Sequence, residues 1–166
     1  DATGVAHYNT EGEGPWAYYT KHAEPASDFV ERHRHSFIPR DAGTAVIHTR
    51  MATQGSKHQA DNNHPIIVDR WNNKPAIVGV HNGVLMNDFS VWRKNPVLNA
   101  QKKGEVDSQL IFQILSRQGV EFLDQLEGDA SIAWIEDTTK DNALHLARMG
   151  GRPLAYAFTE LGSMIF

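Results

Sequence analysis

The sequence predicts an α+β domain, a four-layer αββα sandwich of two mainly antiparallel sheets inside layers of helix. Two observations carry this. Apolar strand-like runs occupy both ends of the chain, with helical patterns between them, and strands followed by helices followed by strands argue for segregated layers. The last third also reads as successive short apolar runs separated by turn residues, the pattern of antiparallel pairing. A chain of 166 residues suits one domain, residues 1–166, and buries roughly 70% of its unfolded surface, so it needs no disulfide scaffold.

Val5 to Asn9 reads as a strand and Trp16 to Lys21 as a second, with "TEGEGP" as the turn between them. Pro25 to His35 reads as a helix: Pro25 suits the first turn, Phe29 is a buried anchor, and Arg32 and Arg34 lie late, where cations suit the dipole. "GTAVIHTR" and "PAIVGVHNG" are buried strands that each run from apolar to polar, with a Gly-, Asn- and His-containing stretch from Gln54 to Pro65 between them. Two apolar strands that both end in polar residues place a site at the strand ends, where rigid interiors support chemistry. Asp107 opens the clearest helix, as its N-cap, with Leu110, Ile111, Ile114 and Leu115 in one stripe and Gly119 at its end. Val120 to Leu126 reads as a second short helix. "ASIAWIED", "ALHLARM", "PLAYAF" and "SMIF" follow as strands joined by "TTKDN", "GGR" and "TELG".

Composition excludes several classes. The net charge is −4 with both signs dispersed, so no nucleic-acid footprint appears. No run approaches the ~20 apolar residues of a membrane span, and the first residues lack a signal peptide's basic and apolar regions. Cys is absent. The first residues read at once into a strand and the last stop in one, so both ends read as cut from a longer chain.

Four segments carry the chemistry: "HTRMATQG" (48–55), "HNGVLMN" (81–87), "EVDSQLI" (105–111) and "LEGDASIAWIED…LHLARMGGRPLAYA" (126–157). In order and spacing they resemble the class II glutamine amidotransferase domain of the N-terminal-nucleophile hydrolases, nearest the amino-sugar synthase and phosphoribosyl amidotransferase branches. "DATGVA" resembles that family's Asp-Ser-Ala-Gly strand start, and "NNHP" (62–65) the end of its glutamine loop. The resemblance implies hydrolysis of the glutamine side-chain amide, releasing ammonia to a synthase or acceptor domain, fused or separate. It also implies no cofactor, no metal, and a cytoplasmic setting.

Amide hydrolysis needs a nucleophile, an oxyanion hole and an amino-acid clamp. The resemblance makes Arg50 the clamp for the substrate α-carboxylate; an isolated Arg would instead suggest an ordinary salt bridge. Thr53 assists through its hydroxyl or is a turn residue. Asn82 and Gly83 supply the oxyanion hole through the side-chain amide and the backbone N–H, although Asn-Gly alone is a hairpin turn. Asp107 holds the α-ammonium, or is only the N-cap; a carboxylate has acceptor positions for both. Gly128, Ala130 and Ala133 are small residues where sheets pack closely. Arg148, Arg152 and Pro153 match the pattern without an assignable role. Nine His residues raise a metal reading, but His33 with His35 and His58 with His64 lack a third ligand and read as solvated, whereas His48 and His81 position strand ends.

The pattern breaks in two places. The family's nucleophile is a Cys at the processed N-terminus, whose α-amine is the base, and this chain has none. Asp1 is a weak substitute, and Thr3 reads as a strand residue. The expectation is therefore a chain inactive as written, with the nucleophile segment and C-terminal strands missing. The alternative is a catalytically dead glutamine-binding or assembly module. Met51 stands where an aromatic residue usually follows the clamp Arg, and Met fills similar space flexibly.

Overall fold

Alternation of side chains builds the first sheet. In the computed structural model, which describes residues 1–9, 16–33, 42–51, 54–137 and 143–166, β1 (Ala2–Tyr8) lies between β2 (Ala17–His22) and β3 (Ala45–Arg50), all antiparallel. β1 is buried on both faces because both are covered. Ala6 faces inward and joins Ala17 and Val46 against the second sheet. On the other face the Thr3 hydroxyl donates to the Glu24 carbonyl, just before α1 (Ala26–His33), which packs on β1 and buries Phe29. The turn expected at "TEGEGP", the end of the expected first helix and the "TTKDN" connection lie outside the described residues.

The second sheet runs β4 (Ile66–Val68), β5 (Ile77–Leu85), β6 (Gly128–Glu136), β7 (Leu144–Met149), again antiparallel. Val78, Val80, Ala133 and Ile135 from it complete the inter-sheet core with Ala6 and Val46. Its opposite face carries the larger core, where Ile66, Ile77 and Ile132 meet α4 (Ser108–Arg117). The expected sandwich of two antiparallel sheets with helices outside is thus the observed architecture. Of the three small residues expected between the sheets, only Ala133 lies there; Ala130 belongs to the helix-side core, and Gly128 turns at φ +136, where a Cβ would meet the Val84 carbonyl.

Helix α4 departs from the expected single stripe. It is buried from Ser108 to Ser116, with Gln109 and Gln113 inside alongside Ile111 and Ile114. α3 (Pro96–Asn99) and a 3-10 turn (Val120–Gln125) pack against it; Gln109 Oε1 accepts from the Lys103 and Gly104 N–H groups, each at 2.9 Å, and the Gln113 amide donates to the Gln101 carbonyl at 3.3 Å. α2 (Asp88–Lys94), α3 and β4 are not legible in the periodicity. The "PLAYAF" and "SMIF" runs shorten to β8 (Ala157–Phe158) and β9 (Met164–Ile165), a separate exposed pair.

Gly79 sets how closely α4 approaches β5. A Cβ there would lie 2.1 Å from Phe112 Cε1, and Phe112 is fully buried. Gly79→Ala is therefore expected to destabilise the fold by about 1–3 kcal/mol through overpacking. The cost should shrink in a Phe112→Leu background, a coupling that a double-mutant cycle of urea unfolding reads directly.

Candidate functional site

β3 and β5 end side by side, one from each sheet, and the N-terminus of α4 closes the gap between them. The cavity there measures about 460 Å3. Arg50, Asn82, Gly83 and Asp107 all line it, together with His48, His64, His81, Ser108 and Arg152. Four residues scattered over the sequence therefore share one pocket, of a size usual for small-molecule sites. Thr53 lies outside the described residues.

Arg50 is the last residue of β3, with 6% exposure. Its guanidinium donates to Asn63 Oδ1 at 3.2 Å and to the Gln54 carbonyl. These bonds fix the plane of the fork, and a guanidinium has five N–H donors, so two anchors do not exhaust it. Asp107, 7% exposed, precedes α4. Its Oδ1 accepts the Ser108 N–H at 2.8 Å and its Oδ2 the Leu85 N–H at 2.8 Å. The capping role expected of Asp107 is present, but the carboxylate also reaches across to β5. Burial pushes the Arg50 guanidinium below its ordinary value, and the Asp107 charge opposes that shift. Yet no ion pair joins the two among the described residues. Opposite charges that are buried, mutually felt and not in contact leave room for a ligand carrying both signs.

Asn82 and Gly83 sit where β5 reaches the cavity mouth, in register with Ser131 and Ala130 of β6. Gly83 has φ +154, and a Cβ there would fall 1.9 Å from the Asp129 carbonyl and 2.8 Å from His81 Nε2. The sequence allows only glycine at this point. The expected hairpin alternative for Asn-Gly is not what forms, since β5 continues through Leu85.

Histidines form the back of the cavity. The His48 and His64 ring centroids are 4.3 Å apart and His64 and His81 6.5 Å apart. His64, expected at the surface, is 5% exposed, because its loop is drawn between the sheets. His58 is exposed as expected; His33 is half-buried, stacked on His22 at 5.1 Å, and His35 lies outside the described residues. Both His64 ring nitrogens, His48 Nδ1 and His81 Nε2 have no hydrogen-bond partner among the described residues. The described residues form no cluster of three or more His, Asp or Glu suited to a metal. Burial, then the charges of His81 and Arg50, lower His48 to about 4. His64 is lowered well below its ordinary value by burial first, then by its histidine neighbours, Arg50 and Lys21. His81 is lowered by burial, against the opposing charge of Asp107. All three are neutral at pH 7. Sequence reasoning missed His64, Ser108 and Arg152 as lining residues; the "NNHP" and "VDSQ" segments held the first two, but nothing in their pattern separates a lining residue from a neighbour.

With the geometry in hand, the protein's class follows. The chain belongs to the glutamine amidotransferase domain family, whose model matches residues 48–166. Among solved structures it is similar to glutamine phosphoribosylpyrophosphate amidotransferase from B. subtilis, complexed with ADP and GMP. The two share 18% identity at a TM-score of 0.62, over 89% of this chain and 30% of that one. The chain thus spans under a third of that protein's length, and the likeness establishes the fold. No curated protein sequence gives a significant match. The class II glutamine amidotransferase resemblance read from the motifs is borne out.

Neutral buried histidines carry a pH signature. Their folded pKa values lie below the unfolded value of about 6.5, so the unfolded chain binds more protons between the two. Stability is then complete above about pH 6.5 and is lost as pH falls toward 4. Each such histidine should contribute roughly 1 kcal/mol per pH unit within that window. Urea midpoints measured from pH 7 to 4.5 should fall accordingly, and His48→Gln should flatten the slope even where it lowers stability at pH 7.

Proposed function

We propose that this chain is the glutamine-holding body of a glutaminase, which hydrolyses the glutamine side-chain amide and delivers ammonia to a synthase or acceptor domain. The observation that carries the reading is one cavity lined both by buried Arg50 and Asp107, which form no ion pair with each other, and by Asn82 and Gly83. A glutamine head group carries the complementary charges: its α-carboxylate fits the anchored Arg50 fork in two parallel bonds, and its α-ammonium fits the remaining lone pairs of Asp107. The side chain then points toward Asn82 and Gly83. There, the Asn82 amide and the Gly83 N–H would stabilise the oxyanion formed when a thiolate attacks the carboxamide carbon. The C–N bond breaks as the proton taken from the thiol by the α-amine passes to the leaving nitrogen, which departs as ammonia, and water then hydrolyses the thioester to release glutamate and the thiol.

No residue of this chain supplies that thiol, because it contains no Cys. We place the nucleophile on a segment outside these 166 residues. Thr53 remains a candidate for substrate contact, and the family resemblance carries a cytoplasmic setting with it. The absent thiol also supports the second reading, a binding module without turnover.

Binding and turnover separate the two. Calorimetry should show the chain binding L-glutamine, with Arg50→Lys weakening it by roughly tenfold or more, because the planar fork is lost while the charge remains. Asp107→Asn should weaken it similarly. Unchanged affinity in both variants would remove the clamp. The chain alone should release no ammonia from glutamine, and joining it to an N-terminal segment with a free Cys should start turnover. If the joined protein binds glutamine but stays inert, the binding-module reading stands instead.

A further inference from the structure

Two adjacent residues at the start of α4 grip β5 on either side of Asn82 and Gly83. Asp107 Oδ2 accepts the Leu85 N–H at 2.8 Å, two residues beyond Gly83. Ser108 Oγ lies 2.9 Å from His81 Nδ1, one residue before Asn82. Ser108 is 3% exposed and His81 also 3%, so both contacts are shielded from water and from competing partners. Ser108 is tied back to Asp107 as well, through its N–H at 2.8 Å and its hydroxyl at 3.4 Å. The His81 ring in turn lies against Gly83: a Cβ on Gly83 would meet His81 Nε2 at 2.8 Å. The segment 82–84 is thus bracketed by two short hydrogen bonds from neighbouring residues of one helix end, and the ring held by one of them sets the space beside Gly83.

We propose that Ser108 is a positioning residue: by fixing the His81 ring it holds the Asn82–Gly83 donors in register with Asp107, so that head-group and carboxamide recognition are coupled through one helix terminus. This rests on the reading of the cavity as a glutamine site. β6 pairs with the segment's backbone, Asp107 adds a bond on its far side, and without the Ser108 hydroxyl the His81 ring on the near side loses its hydrogen bond. Loss of the hydroxyl keeps Arg50 in place and keeps both backbone N–H bonds to Asp107, and removes from that carboxylate only the long 3.4 Å contact to Oδ1. It therefore acts on recognition of the amide and not on recognition of the head group. A generally loosened fold would weaken both.

A pair of ligands reads this difference. L-Glutamine and L-norvaline share the α-amino acid head group, and only glutamine carries the carboxamide. In Ser108→Ala, glutamine affinity should fall by roughly three- to tenfold, the span of one lost buried hydrogen bond, while norvaline affinity stays within error. Ser108→Thr, which keeps the hydroxyl, should restore glutamine binding. Equal loss for both ligands, or no loss for either, overturns the proposal. Nitrogen-15 spectra of the ligand-free chain give an independent arm: Ser108→Ala should shift the His81 Nδ1 resonance and speed Gly83 amide exchange, with Ser108→Thr close to wild type. If the unaltered chain binds neither ligand, the glutamine reading fails on its own, and the spectra still decide the clasp. Unchanged His81 and Gly83 signals would then overturn it.

Discussion

The site depends on the segment Asn62–Pro65, which is wedged between the two sheets. Gly4 of β1 makes the wedge possible: a Cβ there would lie 2.2 Å from the His64 carbonyl oxygen and 2.8 Å from Pro65 Cδ. Lys21 of β2 then ties the segment to the first sheet, donating to the Asn63 and Pro65 carbonyls at 2.9 and 3.0 Å. Burial lowers the lysine to about 8, so it keeps its charge at neutral pH. From this fixed segment the ties run outward. Asn62 holds the 105 loop through Glu105, Asn63 orients the Arg50 fork, and His64 fills the back of the cavity. The ties through Lys21, Asn62 and Asn63 satisfy polar groups that would otherwise be buried unpaired, which helps a loop sit this deep, although the His64 ring nitrogens have no partner among the described residues.

A buried guanidinium and a buried carboxylate that do not touch are costly, and a structure optimised for stability alone would pair them or replace them with apolar groups. Here each is instead held by neutral scaffold groups: Arg50 by Asn63 and Gln54, Asp107 by two backbone N–H groups. The neighbouring imidazoles are kept uncharged by the same burial, so they add no repulsion to Arg50 near neutral pH. The charged groups that line the cavity are therefore Arg50, Asp107 and Arg152. Such preorganisation costs stability in the empty state and is recovered only when a zwitterion enters.

How much of this the sequence disclosed follows from how locally each feature is encoded. Arg50, Asn82, Gly83 and Asp107 lie within short motifs whose order was diagnostic, and long strands such as β5 and β6 announce themselves by continuous apolar runs. α2 did not, because it buries the adjacent pair Val91 and Trp92 while leaving Phe89 exposed, which makes no helical stripe. β4 has three residues and follows a proline, too little for any period. The depth of His64 depends on Gly4, sixty residues away, and on a sheet-to-sheet approach that no local pattern records. Gln109 and Gln113 obscured the burial of α4 for the opposite reason: polar identity suggested solvent, whereas both find backbone partners inside.

The division between holding and cutting glutamine follows from the same architecture. On the proposed reading, the clamp and the two oxyanion donors stand on a strand of each sheet and one helix terminus, joined through buried hydrogen bonds. None of those bonds involves a thiol. On that reading, a thiol brought to the cavity would meet donors carried by a paired strand, which lowers the reorganisation cost of forming the oxyanion. Conversely, a chain that carried this pocket without a thiol would keep the full recognition apparatus, because recognition and bond cleavage draw on separate atoms. On the proposed reading, that separability locates the difference between a glutamine-binding body and a glutaminase in whether a reactive sulfur reaches the cavity lined by Asn82, Gly83, His48, His64 and His81.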